Sequence, residues 1–177
     1  FSFQDIVKNR EAGKMSALLT IEEGETVLGK LSYLRDFYRL GVRMIALTWN
    51  FANQIGCPNM HPECEKTGKG IELRTEKGLT PFGIEMIQEM ERLGMIVDVS
   101  HLSDGGFWYV YRHTEKPFVA SHSNAASVQN VCRNLTDEMI NALGERGGVC
   151  GLNYCMDFLT WEAKKMDTEQ LLGVMAE

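Results

Sequence analysis

The sequence lacks several features that would place it in common protein classes. No run approaches the roughly 18 consecutive apolar residues that a membrane-spanning helix needs. Positive charge is not in excess either, because the formal net charge is −6, which argues against the basic surface of a nucleic-acid-binding protein. No Gly-x-Gly-x-x-Gly segment follows a strand-like run, which argues against a dinucleotide-binding sheet. At 177 residues, we interpret the chain as one globular domain, 1–177.

Regular cysteine spacing is also missing. The five cysteines are odd in number and show no disulfide framework, so we predict a reducing compartment and a cytoplasmic location. The run Cys57-x3-His61-x2-Cys64 has the look of a metal clip, but no second ligand pair stands at the spacing of a structural zinc site. We therefore interpret it as part of a polar loop.

Short and nearly continuous apolar runs recur along the chain. They are 15–21, 42–48, 95–100, 117–121 and 148–153. Runs of this length and composition are typical of parallel strands that are buried on both faces.

Helical patterns lie between these runs. Thr26 is a predicted N-cap for a helix with apolar Leu28, Leu31, Leu34, Phe37 and Tyr38. Thr80-Pro81 predicts a second helix that stops at Gly94, with its apolar face at 82, 86, 87, 90 and 93. Further helices are predicted to begin at Ser103-Asp104, at Thr136-Asp137 and near Asp167. We expect Glu85, Glu89 and Glu91 to be solvated.

Alternating strands and helices predict an α/β fold with a parallel sheet and right-handed crossovers. At this level a doubly wound sheet competes with a β/α barrel. One long loop, roughly 50–79, is rich in Gly, Pro, Asn and charge, and we predict that it is a lid or a binding element.

Chemically capable side chains stand directly after the strand-like runs. They are Glu22, Trp49, His101 and His122. In a β/α barrel the carboxyl ends of the strands converge on one active-site mouth, and one carboxylate with two imidazoles is a plausible zinc ligand set. A lone histidine at a strand end is more often structural, and the pattern alone leaves Asp98 as either an orienting residue or a satisfied buried acid. We expect His61 and His113 to be solvated.

Several segments, taken in order, resemble the signature segments of the membrane (renal) dipeptidase family of zinc dipeptidases. They are Thr-Ile-Glu-Glu-Gly at 20–24, Gly-Leu-Thr-Pro-Phe-Gly at 78–83, Leu-Gly-Met-Ile-Val-Asp-Val-Ser-His at 93–101, Ala-Ser-His-Ser-Asn-Ala at 120–125 and Arg-Asn-Leu at 133–135. The resemblance implies a TIM-type (β/α)8 barrel. With 177 residues against about 250 for a complete barrel, we expect an internal fragment with about five or six strands, lacking both ends.

The resemblance also implies roles for individual residues. Glu22 matches the carboxylate that bridges two zinc ions, and His101 and His122 match the histidines that complete one of them. Arg133 matches the arginine that binds the free carboxylate of the substrate, a task that suits the planar guanidinium. The implied reaction is hydrolysis of a dipeptide by a metal-activated water.

The sequence departs from the family pattern in two places. No His-x-Asp pair, which would complete the second metal site, occurs in the chain. Trp49 occupies the position of a substrate-contacting histidine, and an indole can neither ligate a metal nor carry a proton. We expect Trp49 to wall the substrate pocket.

These departures keep other functions open. One is a binuclear-metal amidohydrolase that acts on a cyclic amide or an N-acyl amino acid, and another is a non-catalytic barrel that only binds a ligand or partner. For partners, we expect a dipeptide substrate and a homodimer, without nucleic acid and without a membrane segment.

Overall fold

The computed structural model describes residues 2–59, 75–160, 162 and 165–176. Its strands are β1 (Leu19–Ile21), β2 (Val42–Ala46), β3 (Ile96–Asp98), β4 (Val119–Ala120) and β5 (Val149–Cys150). Its helices are α1 (Phe3–Glu11), α2 (Leu31–Arg39), α3 (Pro81–Leu93), α4 (Asp104–His113), α5 (Asp137–Glu145) and α6 (Thr168–Ala176). Each apolar run that predicted a strand contains one.

The strands form one parallel sheet whose spatial order, β1-β2-β3-β4-β5, is also their order in the chain. A doubly wound sheet reverses its strand order at a switch point, whereas a β/α barrel does not. The predicted incomplete barrel is therefore confirmed, and the described residues do not fit the doubly wound alternative. Within them, β1 and β5 are the two open edges of the sheet.

Apolar faces of four helices cover the sheet. Leu34 on α2, Met86 on α3, Phe107 on α4 and Leu143 on α5 are all almost fully buried in one continuous core. Burying a side chain of this size stabilises the fold by about 1.5–3 kcal/mol. Packing on these faces therefore fixes where the carboxyl ends of the strands lie.

Three helices begin where the sequence predicts. The side chains of Thr80, Ser103 and Thr136 each accept a hydrogen bond from the backbone N–H three residues further on. Such a cap stabilises a helix by about 1 kcal/mol. Gly94 ends α3 in the left-handed conformation, as its position after the last apolar residue predicts.

The predicted start of α2 at Thr26 is wrong. Thr26 lies in a 3₁₀ turn, Gly24–Val27, and its hydroxyl donates to the Glu23 carbonyl instead of capping a helix. Leu28 and Gly29 then adopt positive φ angles, so the chain cannot continue as a helix until Leu31. As a result Leu28 is exposed and does not belong to the apolar face of α2.

The expectation that Glu89 is solvated is also wrong. Its carboxylate is buried and accepts hydrogen bonds from Arg35 Nε at 2.6 Å and from Arg92 Nε and Nη2, each at 2.7 Å. Arg35 belongs to α2, so this ion pair joins α2 to α3. The two guanidinium groups, Arg92 first, lower the pKa of Glu89 to about 2, although burial opposes this.

The long loop is only partly described. His61 and Cys64 of the candidate metal clip lie outside the described residues, so the clip and the predicted lid stay untested. At the near end of the loop, the buried Asn59 amide donates to Asp104 Oδ1 at 2.7 Å and to the Cys132 carbonyl at 2.8 Å. His113 is half-buried rather than solvated, with Nδ1 2.9 Å from the Tyr109 carbonyl. Among the described residues, none of the helices has the length and apolarity to cross a membrane.

Candidate active site

Three side chains with metal-binding atoms meet at the carboxyl edge of the sheet. Glu22 directly follows β1, His101 follows β3, and His122 follows β4. His101 Nε2 lies 2.9 Å from His122 Nε2, and Glu22 Oε1 lies 3.6 Å and 3.5 Å from these two nitrogens. All three donor atoms lie within 4.8 Å of one another. The structure thus brings together the three residues that the sequence predicts as metal ligands.

His101 is held in an unusual backbone conformation. Its φ angle is 70°, a left-handed value that few non-glycine residues adopt. Its Nδ1 lies 3.0 Å from Asn50 Oδ1, an acceptor that places the imidazole proton on Nδ1. Burial, with the positive charge of Arg133 and the nearby His122, lowers the pKa of His101 to about 2. The ring is therefore neutral, with the lone pair of Nε2 facing Glu22.

His122 is oriented by its neighbour in the chain. Its Nδ1 lies 2.7 Å from Ser121 Oγ, and its backbone N–H donates to Ser100 Oγ at 3.0 Å. Burial and the positive charge of Arg133 lower the pKa of His122, against the opposing effect of Asp98 and Glu22. The half-buried ring is thus held neutral as well.

Asp98 is buried, and both of its carboxylate oxygens accept hydrogen bonds. Its Oδ1 accepts from the backbone N–H of Ser100 at 2.9 Å and of Ser121 at 3.0 Å, and its Oδ2 accepts from the Ser121 hydroxyl. Asp98 therefore ties the ends of β3 and β4 together at the point where the two histidines emerge.

The arrangement fits a divalent cation. Hydrogen bonds hold the Nδ1 atoms of both imidazoles, so the two Nε2 lone pairs and a carboxylate oxygen are directed at one small space. With both imidazole protons on Nδ1, these lone pairs and the carboxylate repel one another, and a cation between them removes that repulsion. Neutral imidazole nitrogens with a carboxylate are also the donors that zinc takes in catalytic sites.

Arg133 lies next to this cluster and is 4% exposed. Its Nη2 donates to the His122 carbonyl at 3.4 Å, and its guanidinium lies 5.6 Å from the centre of the Phe158 ring. Among the described residues, its Nε has no hydrogen-bond partner. Burial lowers the pKa of Arg133 to about 10, so it keeps its charge at neutral pH. A buried cation with a free donor is suited to bind an anionic group of a ligand.

Trp49 lies at the mouth of the site. Its ring is 6.3 Å from the His101 ring and 5.9 Å from the Phe51 ring, and 43% of the residue is exposed. Trp49 thus lies beside the metal-binding atoms, and its predicted role as a wall of the substrate pocket stays a prediction.

Sequence reasoning assigned no role to Asn50 or Ser121. Both hydrogen-bond the Nδ1 atom of a histidine, and both directly neighbour a residue that the sequence does single out. That adjacency at strand ends is the one signal that could have indicated them.

Comparison with known protein sequences identifies one family. The sequence profile described as "Membrane dipeptidase (Peptidase family M19)" matches residues 1–175. An uncharacterized protein encoded in the pqqA 5′ region of Klebsiella pneumoniae is 35% identical over 166 residues, which cover 93% of this chain and 58% of that protein. Dipeptidase 3 of Mus musculus is 32% identical over 146 residues, which cover 82% of this chain and 28% of the mouse protein.

A solved structure shares the fold. The metallo peptidase of Rhodobacter sphaeroides, liganded with a phosphinate mimic of the dipeptide L-Ala-D-Ala, superposes with a TM-score of 0.81 at 28% identity. The match covers 98% of this chain and 48% of that one. This chain therefore spans about half the length of the structures it matches and less than two thirds of its curated relatives.

Proposed function

Because the chain belongs to the membrane dipeptidase family, peptidase family M19, we propose that it forms the central part of a metal-dependent dipeptidase. The observation that carries this proposal is the convergence of Glu22, His101 and His122 at the carboxyl edge of a parallel sheet. Active sites of β/α barrels lie at this edge. A relative of the same fold binds a mimic of a dipeptide, which agrees with the proposed substrate class.

We propose zinc as the metal, with two ions in the complete protein. His101 and His122 would hold one ion through Nε2, and Glu22 would bridge to the second through its carboxylate. When bound, such ions lower the pKa of a shared water towards neutrality and polarise the scissile carbonyl. Glu22 is the most exposed of the three side chains, with 63% of it accessible.

Arg133 defines the length of the substrate. Its Nε, which has no partner in the part of the chain that the structure describes, can pair with the free carboxylate of a dipeptide. A carboxylate bound there lies close to the cluster because Arg133 also contacts His122. A longer peptide would place an uncharged amide against a buried guanidinium. This contact favours dipeptides over longer chains.

Trp49 favours a second candidate function, that of an amidohydrolase with a different substrate. An indole beside His101 cannot replace the proton transfer or ligation of a histidine, and its aromatic face suits a flat or apolar substrate group. An amidohydrolase that acts on cyclic amides or N-acyl amino acids would use the same metal ligands. A substrate screen separates the two functions.

The test uses the full-length protein that contains this chain. Zinc is quantified by mass spectrometry, and hydrolysis is measured with Ala-Ala dipeptides of both stereochemistries, a tripeptide, a cyclic dipeptide and N-acetylalanine. We expect bound zinc and selective hydrolysis of the dipeptides. Glu22→Gln and His122→Ala should remove zinc and activity together, because an incomplete ligand set holds the ion poorly.

Glu25→Gln is the matched control, since Glu25 is an exposed carboxylate in the adjacent 3₁₀ turn. It should retain zinc and activity. Unchanged zinc in Glu22→Gln would rule out our ligand assignment, and hydrolysis confined to cyclic or acylated substrates would establish the second function. A metal-free, inactive wild type would favour the non-catalytic alternative. The homodimer and the cytoplasmic location stay predictions.

A further inference from the structure

We propose that Asp98 is a positioning residue that acts through Ser121 to fix the tautomer and direction of the His122 ring. The proposal rests on the proposed metal-binding function of His122. It concerns a hydrogen-bonded chain of three side chains, Asp98, Ser121 and His122, which we call the carboxylate relay.

The directions of the hydrogen bonds in the carboxylate relay follow from its chemistry. A carboxylate only accepts, so the Ser121 hydroxyl donates its single hydrogen to Asp98 Oδ2. Ser121 Oγ is then left as an acceptor towards His122 Nδ1, 2.7 Å away. The imidazole must therefore carry its proton on Nδ1, which leaves the Nε2 lone pair for a metal ion.

The two oxygens of Asp98 have separate tasks. Oδ1 accepts from two backbone N–H groups, of Ser100 and Ser121, and so holds the ends of β3 and β4. Oδ2 contacts the Ser121 hydroxyl and reaches His122 through it.

The surroundings of His122 make the relay necessary. The bond from the backbone N–H of His122 to Ser100 Oγ does not set the tautomer of the ring. The contact of its Nε2 with His101 Nε2, at 2.9 Å, allows either nitrogen to be the donor. His101 has Asn50 for this purpose, and its ring is more deeply enclosed. His122 depends on Ser121, whose own hydrogen would point towards Nδ1 if Asp98 did not accept it.

The substitution Asp98→Asn tests the direction of the relay. With an amide oxygen kept towards the two backbone N–H groups, the amide nitrogen faces Ser121 Oγ and donates to it. The serine hydrogen then turns to His122 Nδ1, and the imidazole proton moves to Nε2. In the full-length, metal-free protein, ¹⁵N NMR of labelled histidine should show the Nδ1–H tautomer of His122 in wild type and the Nε2–H tautomer in Asp98→Asn.

Zinc affinity, measured by competition with a chelator, is the second readout. We expect Asp98→Asn to weaken zinc binding by about 10–100-fold, the usual effect of removing a group that orients a metal ligand. Ser121→Ala, which keeps the Oδ1 contacts of Asp98 with the backbone, should weaken it by about 10-fold. Ser121→Thr keeps the hydroxyl and should restore affinity to within about threefold of wild type.

Ser123→Ala is the matched control. Ser123 lies on the other side of His122 in the chain, is buried, and its hydroxyl has no hydrogen-bond partner among the described residues. It should bind zinc like wild type. The relay is overturned if His122 keeps the Nδ1–H tautomer in Asp98→Asn, or if Ser121→Ala binds zinc as tightly as Ser123→Ala. The NMR experiment needs no metal and no substrate, so a failed dipeptidase proposal would show itself separately, as a wild type without zinc or hydrolysis.

Discussion

At the scale of single residues, the buried charge of Arg133 constrains what the site can bind. We expect Arg133→Met to raise KM for dipeptides about 10–100-fold, because a charge-assisted hydrogen bond to a carboxylate contributes about 1.5–3 kcal/mol. The change in kcat should be smaller. Both constants are measured by steady-state kinetics of the full-length protein, with dipeptides and their C-terminal amides as substrates.

Arg112→Met provides the control for Arg133, since Arg112 is an exposed arginine on α4, where it contacts the Tyr109 ring. It should leave KM unchanged. Equal turnover of amidated and free dipeptides by the wild type would contradict the role of Arg133.

Glu89 gives the fold a defined pH dependence. Its pKa is lowered from an ordinary 4.5 to about 2 by Arg92 and Arg35, so the ion pair contributes its full stability above pH 4.5 and loses it as the pH falls towards 2. We expect Glu89→Gln to reduce the free energy of unfolding by about 1 kcal/mol at pH 7, since both arginines are partly exposed and screened.

Urea unfolding at pH 7, 5, 4 and 3 checks this window. The difference between wild type and Glu89→Gln should shrink below pH 4.5. Glu85→Gln, an exposed carboxylate one turn earlier on α3, should differ from wild type at none of these pH values. A difference for Glu89→Gln that stays constant down to pH 3 would contradict the assignment.

The candidate metal ligands can be predicted from the sequence, but the hydrogen-bond partners that hold buried side chains in place cannot. Glu22, His101 and His122 are identifiable because each follows an apolar run, and strand ends converge in a parallel fold. The contact of His101 with Asn50, and that of Glu89 with Arg35, depend on strand register and helix packing. Local sequence does not encode those distances, and so the interpretation of Glu89 as a solvated residue fails.

At the scale of secondary-structure elements, local chemistry predicts a helix start where nothing distant competes with it. Thr80, Ser103 and Thr136 cap their helices as predicted. Thr26 carries a similar signal, but the preceding segment is bound elsewhere, since Glu23 Oε1 accepts from Asn53 Nδ2 at 2.6 Å. That contact joins the turn after β1 to the loop after β2, and only the folded chain brings the two together.

The close approach of β4 and β5 provides an element-level prediction. A Cβ at Gly151 would overlap the Ser121 carbonyl, so the end of β5 can pass this point only without a side chain. We expect Gly151→Ala to lower the free energy of unfolding by about 1–3 kcal/mol, as overpacking does, and to weaken zinc binding because Ser121 shifts.

Gly144→Ala is the opposite case and the control for Gly151. Gly144 is an exposed residue of α5, and an added Cβ meets nothing within 4 Å. This substitution should stabilise the protein by about 0.5–1 kcal/mol, because alanine loses less backbone entropy in a helix. Urea unfolding of both variants measures these changes in the free energy of unfolding. A Gly151→Ala variant as stable as wild type would contradict the packing argument.

At the scale of the whole molecule, the described sheet has two unpaired edges. Leu19 on β1 and Val149 on β5 are 54% and 65% exposed. Exposed apolar edge strands pair readily with other chains, so we expect residues 1–177, expressed alone, to self-associate. Light scattering over a range of concentrations should detect this.

Val149→Lys should reduce that association, because a charged side chain on an edge strand opposes pairing. Val128→Lys, at an exposed apolar position outside the strands, serves as the control and should not reduce it. A chain that stays monomeric at all concentrations would contradict the prediction.

The three candidate ligands follow β1, β3 and β4, so a single ion would join three strand ends that are distant in the chain. A ligand that binds only the native state, at a free concentration 100 times its Kd, raises the free energy of unfolding by about 2.7 kcal/mol. Loss of such an ion would lower the free energy of unfolding by the same amount. Metal-free molecules would therefore unfold more often, and proteases would cleave them faster.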